Sequence, residues 1–85
     1  MNNKYLISVF VPVVELEFEL YIPINKKIGT IKSHILKQIS DTTNNVYDKS
    51  INDVRMLDRL TGEELDNNAF VKDTIVKNGS KIIII

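Results

Sequence analysis

Val76-Lys-Asn-Gly-Ser-Lys-Ile-Ile-Ile-Ile85 is the stretch on which the reading of this chain turns. Asn78-Gly79 is a turn pair, because both residues tolerate the left-handed backbone that tight turns demand. The run Ile82–Ile85 is β-branched and apolar at every position, which suits a strand but gives it no polar face. Side chains alternate along a strand, so Ile82 and Ile84 are expected to face a core while Ile83 and Ile85 point the other way. A strand that wants cover on both sides belongs in the middle of a sheet. Something adhesive is then expected on the sheet's open face.

Working outward, Leu16, Phe18, Leu20 and Ile22 alternate with Glu15, Glu17, Glu19 and Tyr21, the pattern of a strand with one buried and one wet face. Upstream, Tyr5, Ile7, Val9 and Val11 alternate with Leu6, Ser8, Phe10 and Pro12, and here both sets are largely apolar. The two runs read as an antiparallel hairpin turning around Pro12 to Val14, where proline ends the ladder for want of an N–H. The period then changes. Ile28, Ile31, Ile35 and Ile39 recur at spacings of three and four, with Lys32, Ser33, Lys37 and Gln38 between them, which predicts one amphipathic helix. Thr30 is the candidate N-cap, or the helix begins two or three residues earlier. Asp41-Thr-Thr-Asn-Asn45 stops it. A polar loop to Asn52 follows, with Val46, Tyr47 and Ile51 as candidate pins. Val54–Leu57 reads as a third strand, Leu60-Thr-Gly-Glu63 as a turn into a short segment around Leu65, and 71–76 as an irregular or 3₁₀ piece.

With 85 residues the chain is expected to form one unit over positions 1–85 and to bury roughly 60–65% of its unfolded surface. Hydrophobic residues at 44% and charged residues at 26% are ordinary for a globular domain. Net charge is zero and the longest basic block is Lys26-Lys27, so neither a nucleic-acid stripe nor an electrostatic membrane anchor is expected. The apolar run Tyr5–Val14 lacks a small-residue cleavage site and passes straight into the glutamates, so it reads as a strand rather than a signal peptide. No segment reaches the roughly 18 apolar residues that span a bilayer. The expectation is a cytoplasmic protein without direct membrane insertion. The abundance of Ile, Asn and Lys suggests an AT-rich bacterial genome.

A hairpin, one helix crossing a face, then a last strand parallel to the first is the β-grasp, an α+β fold of order β-β-α-β-(β)-β with one helix on a mixed sheet of four to five strands. Crossover handedness places that last strand beside the first. At this point the chain resembles the ubiquitin-like superfamily. Val71-Lys-Asp73-Thr-Ile-Val76-Lys-Asn-Gly79-Ser-Lys-Ile82-Ile-Ile84 is similar to the superfamily's hydrophobic-x-Asp-x-x-hydrophobic-x-x-Gly-x-x-hydrophobic-x-hydrophobic ending. Arg55-Met56-Leu57 and Gly62-Glu-Glu-Leu65 look like its third strand and following turn. Length, composition and the stop after the last strand are most similar to the YukD/EsaB branch, ubiquitin-like proteins associated with type VII secretion in Gram-positive bacteria. Members that are conjugated, or that carry sulfur, end in a slim Gly-Gly tail. With Ile85 ending the sequence, a carrier or modifier role is the less favoured alternative, and it requires a C-terminal tail that is missing here. A third alternative is the N-terminal ubiquitin-like domain of a larger membrane component.

Catalytic chemistry has little to build on. There is no cysteine, and His34, the one histidine, is expected as a boundary residue half covered by the sheet edge. Glu15, Glu17 and Glu19 lie about 7 Å apart along one strand face, unlike the wrapping loop that calcium requires. Gly29 and Gly62 are isolated and form no phosphate loop. No enzyme activity, cofactor or metal is expected. What remains is a surface. If Met56 faces the core, Leu57 points outward with Arg55, and Leu6, Ser8 and Phe10 do the same on the first strand. Phe10, Leu57, Ile83 and Ile85 are thus the expected partner-binding residues, on strands about 4.8 Å apart, for a protein partner such as a component of the secretion machinery, or for a second copy of the chain.

Overall fold

Alternation in the strands and three-four spacing in the helix send one set of apolar side chains to a common interior. The computed structural model describes residues 3–85, so the expected unit of 1–85 reaches two positions beyond them. In chain order come β1 (Lys4–Val11), a 3₁₀ turn (Pro12–Val14), β2 (Leu16–Pro23), α1 (Ile28–Thr42), β3 (Met56–Asp58), a second 3₁₀ turn (Val71–Asp73) and β4 (Lys81–Ile84). The sheet has the order β2-β1-β4-β3. Strand β1 runs antiparallel to β2 and parallel to β4, and β3 runs antiparallel to β4. One helix on this mixed four-stranded sheet is the β-grasp.

The core is where alternation placed it. Ile7, Val9, Val11, Met56, Ile82 and Ile84 from the strands meet Ile28, Ile31, Ile35 and Ile39 from α1, all at 2% exposure or less. Phe18 and Leu20 pack against this cluster half-buried, because β2 is an edge strand and the helix does not cover its rim. Pro12–Val14 makes the hairpin bend as expected, and Glu15 completes it in the left-handed region at φ 52°. Gly79, at φ 90°, turns the chain into β4 while its N–H donates to the Leu6 carbonyl at 2.8 Å. That bond fixes β4 beside β1.

Several local expectations are corrected. The third strand covers Met56–Asp58 rather than Val54–Leu57. Val54 is buried ahead of it, and Arg55 exchanges both backbone hydrogen bonds with Ile85, at 2.7 and 2.9 Å. The optional fifth strand amounts to an isolated bridge between Leu57 and Glu64. Thr30 is not the N-cap. The alternative of an earlier start holds: the cap is Lys27, three residues before Thr30 and without a side-chain bond, and the helix starts at Ile28. Its first donors find backbone acceptors far along the chain: Ile28 N–H reaches Ala69 O at 2.8 Å and Gly29 N–H reaches Asn67 O at 2.9 Å. Two of the four free helix-end donors are thereby satisfied without a capping side chain. A Cβ on Gly29 would stand 3.1 Å from that Asn67 oxygen, so the close approach suits glycine. The helix ends as expected, with Asn44 and Asn45 both at positive φ. Tyr47 pins the following loop at 6% exposure and Ile51 is half-buried, but Val46 stands out at 82%.

Two charged or polar helix residues depart from the pattern. His34 is exposed rather than half covered. Lys32, assigned by its charge to the wet face, is buried, with Nζ donating to Asn67 Oδ1 at 3.3 Å. Its position extends the stripe formed by Ile28, Ile31, Ile35 and Leu36, and the segment that caps the helix covers it. Burial lowers its pKa below the ordinary 10.5, partly opposed by the Glu64 carboxylate.

The apolar contact between helix and sheet predicts that Ile35→Ala lowers stability by about 2–4 kcal/mol, through lost burial and a residual cavity, read as a lower chemical-denaturation midpoint with an unchanged slope. The buried ammonium predicts an alkaline gain. Between the lowered folded pKa of Lys32 and 10.5, the unfolded chain binds more protons than the folded one, so stability rises with pH. Tyr47, whose pKa burial raises above 10.0, opposes this in the alkaline range. Lys32→Met keeps Tyr47, so the difference between mutant and wild type isolates the lysine. The mutant should be the more stable at neutral pH and its advantage should shrink as the pH climbs.

Candidate functional site: the open face of the sheet

Strand register determines what lies on the side of the sheet away from α1. Ile83 of β4 is paired with Phe10 of β1 on one flank and with Leu57 of β3 on the other. All three are half-buried, although the helix lies on the opposite side. Ile85, the next outward position, is 52% exposed. The four residues expected from the sequence are therefore neighbours on one face, with Leu6 and Ser8 continuing it along β1.

A charged rim surrounds this apolar centre. The Arg59 guanidinium lies over the Phe10 ring, with Cζ 4.6 Å from the ring centroid. It is held there by Glu17, whose Oε2 is 3.5 Å from Nη1 and also accepts from Ser8 Oγ at 3.4 Å. The Arg59 N–H donates to Lys81 O at 2.9 Å, which ties the stem of this residue to β4. On the far flank, Nε and Nη2 of Arg55 both lie 3.1 Å from Glu64 Oε1. Arg59 escaped the sequence reading because it falls in the turn after β3. The signal was nevertheless there: Arg55, Leu57 and Arg59 are spaced by two and share a face. The open face thus has an apolar centre with arginines and carboxylates beside it.

Other candidates are less organised. Glu19 is exposed on the same side as Glu17, but Glu15 falls in the turn ahead of β2 with left-handed backbone, so the three glutamates do not form one strand face. Among the described residues no group of three or more His, Asp or Glu is placed to hold a metal ion. Asp53 accepts from Ser50 N and Ser50 Oγ at 3.0 and 3.1 Å, which lowers its pKa, but these bonds close a surface turn. An apolar groove lined by Pro12, Val13, Tyr47, Ile84 and Ile85 opens at the hairpin tip and meets the open face at Ile85. No helix among the described residues is long and apolar enough to cross a membrane.

No protein-family model matches the sequence, and no curated protein matches it. The fold does have counterparts among solved structures. A chain of the MycP5-free ESX-5 inner membrane complex superposes with a TM-score of 0.76 at 10% identity, covering 99% of this chain and 21% of its own. The present chain thus spans about a fifth of that protein's length. The ubiquitin-like domain of an Arabidopsis thaliana protein gives a TM-score of 0.71 at 16% identity, over 99% of this chain and 78% of that one. Ubiquitin from Caldiarchaeum subterraneum gives 0.68 at 15% identity, over 95% and 90%. At such identities the likeness carries the fold alone, and the fold is ubiquitin-like.

Arg59 covers Phe10 through contacts that are exposed to water, each worth about 1 kcal/mol or less. Arg59→Ala should therefore leave the denaturation midpoint close to wild type while shifting the Phe10 ring resonances in an NMR spectrum. A large loss of stability would show that the guanidinium is part of the core's support.

Proposed function

We propose that this chain is a non-enzymatic interaction module that docks a protein partner through Phe10, Leu57, Ile83 and Ile85. The observation that carries this reading is the position of Ile83 between Phe10 and Leu57, on the side of the sheet that the helix leaves open. A cluster of this kind, ringed by charge, marks an interaction site more often than an inert surface. The finer reading is an accessory component of a bacterial type VII secretion system, similar to the YukD/EsaB branch, acting in the cytoplasm as a unit of residues 1–85. The likeness to a chain of the ESX-5 inner membrane complex supports the link to secretion. Because that likeness occupies 21% of the ESX-5 chain, it also favours a second reading, in which the present residues are the ubiquitin-like portion of a larger membrane component.

Ile83→Lys tests the docking face. The side chain is half-buried and its replacement can run its stem along the surface, so the fold should persist. A complementary apolar partner surface would have to bury the ammonium, and binding should be lost. In co-purification from a host that carries the secretion genes, wild type should retain a component of the apparatus and Ile83→Lys should not. Sedimentation of both proteins would reveal a homodimer through the same face as an association that the mutant abolishes. A mutant that unfolds would make Ile83 a core residue, and a folded mutant that still binds would move the site elsewhere.

A further inference from the structure

The second unfilled surface is an edge rather than a face. Ser8 N–H donates to Ser80 O at 3.0 Å, and Leu6 O accepts from Gly79 N–H at 2.8 Å, so the even positions of β1 direct their backbone groups toward β4. Alternation turns Ile7, Val9 and Val11 toward β2, where their register partners are Leu20, Phe18 and Leu16. The backbone groups of Glu17, Glu19 and Tyr21 are therefore left pointing off the sheet, and no described strand lies beyond β2. At eight residues β2 is a long edge, and such an edge is a template for another extended chain.

We infer that the outer edge of β2 takes up an extended segment of a partner protein with lysine or arginine at alternate positions and apolar residues between them. The two sides of the edge specify those alternations separately. On the helix side, Leu16, Phe18 and Leu20 are half-buried and form an apolar shelf continuous with the core. On the open side, Glu17 and Glu19 are exposed, with Glu15 exposed in the turn just ahead of the strand, and of these three only Glu17 has an ion-pair partner among the described residues. A strand added to β2 would place residues opposite Glu17 and Glu19 on the acidic side and the residues between them on the shelf. Backbone hydrogen bonds would supply affinity, and the alternating side chains would supply selection. The same charges count against a second copy of this chain. Antiparallel pairing of two β2 edges would set glutamate against glutamate, and like charges directly opposite destabilise a ladder. The edge is thus guarded against its own kind and complementary to a basic strand.

A capped synthetic peptide of alternating lysine and valine probes this site on the isotopically labelled protein. Amide shifts and slowed hydrogen exchange should centre on Glu17, Glu19 and Tyr21. The alternating glutamate and valine peptide should not bind, nor should the lysine peptide after N-methylation of the residues that would face β2. Glu19→Lys should weaken binding about fivefold, the scale of one exposed ion pair, and added salt should weaken it further. Ile83→Lys should leave peptide binding unchanged, which separates this site from the open face. Shifts centred on Phe10, Leu57 and Ile83 would overturn the inference, as would equal binding of the acidic or N-methylated peptide, or no binding at all.

Discussion

The parallel pairing of β4 with β1 is the constraint from which the rest of the molecule follows. It inserts the last strand between β1 and β3, so Ile82 and Ile84 have neighbours on both flanks and the helix above them, and neither is exposed. A two-residue period then gives Ile83 and Ile85 no choice but the opposite side. The sequence could have avoided an apolar open face with a polar residue at either position. Four successive isoleucines commit it to one. The contacts that hold β4 in register, Gly79 N–H to Leu6 O and Asn78 Oδ1 accepting from Leu6 N–H, come from the turn that precedes it. The Asn-Gly pair is therefore as much a register device as a bend.

Elements whose information is local were legible before any coordinates. The alternations at 5–11 and 16–22 identify the hairpin, proline locates its turn, and the isoleucine spacing at 28–39 identifies the helix and its buried face. The placement of Phe10, Leu57, Ile83 and Ile85 followed from the same counting. The topological rule also placed the last strand beside the first, but the local details set by distant chain escaped. The start of α1 is fixed by carbonyls of Asn67 and Ala69, so a rule about neighbouring hydroxyls pointed to the wrong residue. Lys32 is covered by that same segment, and nothing in its local sequence distinguishes it from the exposed Lys37 except its place on the stripe. Arg59 over Phe10 required knowing that the backbone past β3 still follows β4.

The segment around Asn67 joins these departures. It caps the helix N-terminus with backbone, approaches Gly29 so closely that a Cβ there would stand 3.1 Å from the Asn67 oxygen, and covers Lys32 with a side-chain acceptor. A lysine there gives up solvation that a methionine would not, since its stem packs well but its head must be partnered. The single amide acceptor and the nearby Glu64 supply that partnership only in part, which is why burial still lowers the pKa. Stability is thus given up at the contact that orients the helix. The hydrogen bond ties the second turn of α1 to the segment that caps its start.

Glu17 connects the two surfaces of the sheet. Its carboxylate holds Arg59 over Phe10, while its backbone groups face the open edge of β2. A cation brought along that edge would compete with Arg59 for the same oxygens, and any gain it made there would be subtracted from the hold on the guanidinium. Both contacts are exposed, so neither side of this exchange is large. A released Arg59 would swing off the Phe10 ring and widen the apolar centre around Ile83. By linkage, a partner that displaced Arg59 from the open face would in turn free Glu17 for the edge, and the two occupants would favour each other. Glu17 is thus the residue that touches both the apolar face, through its carboxylate, and the β2 edge, through its backbone.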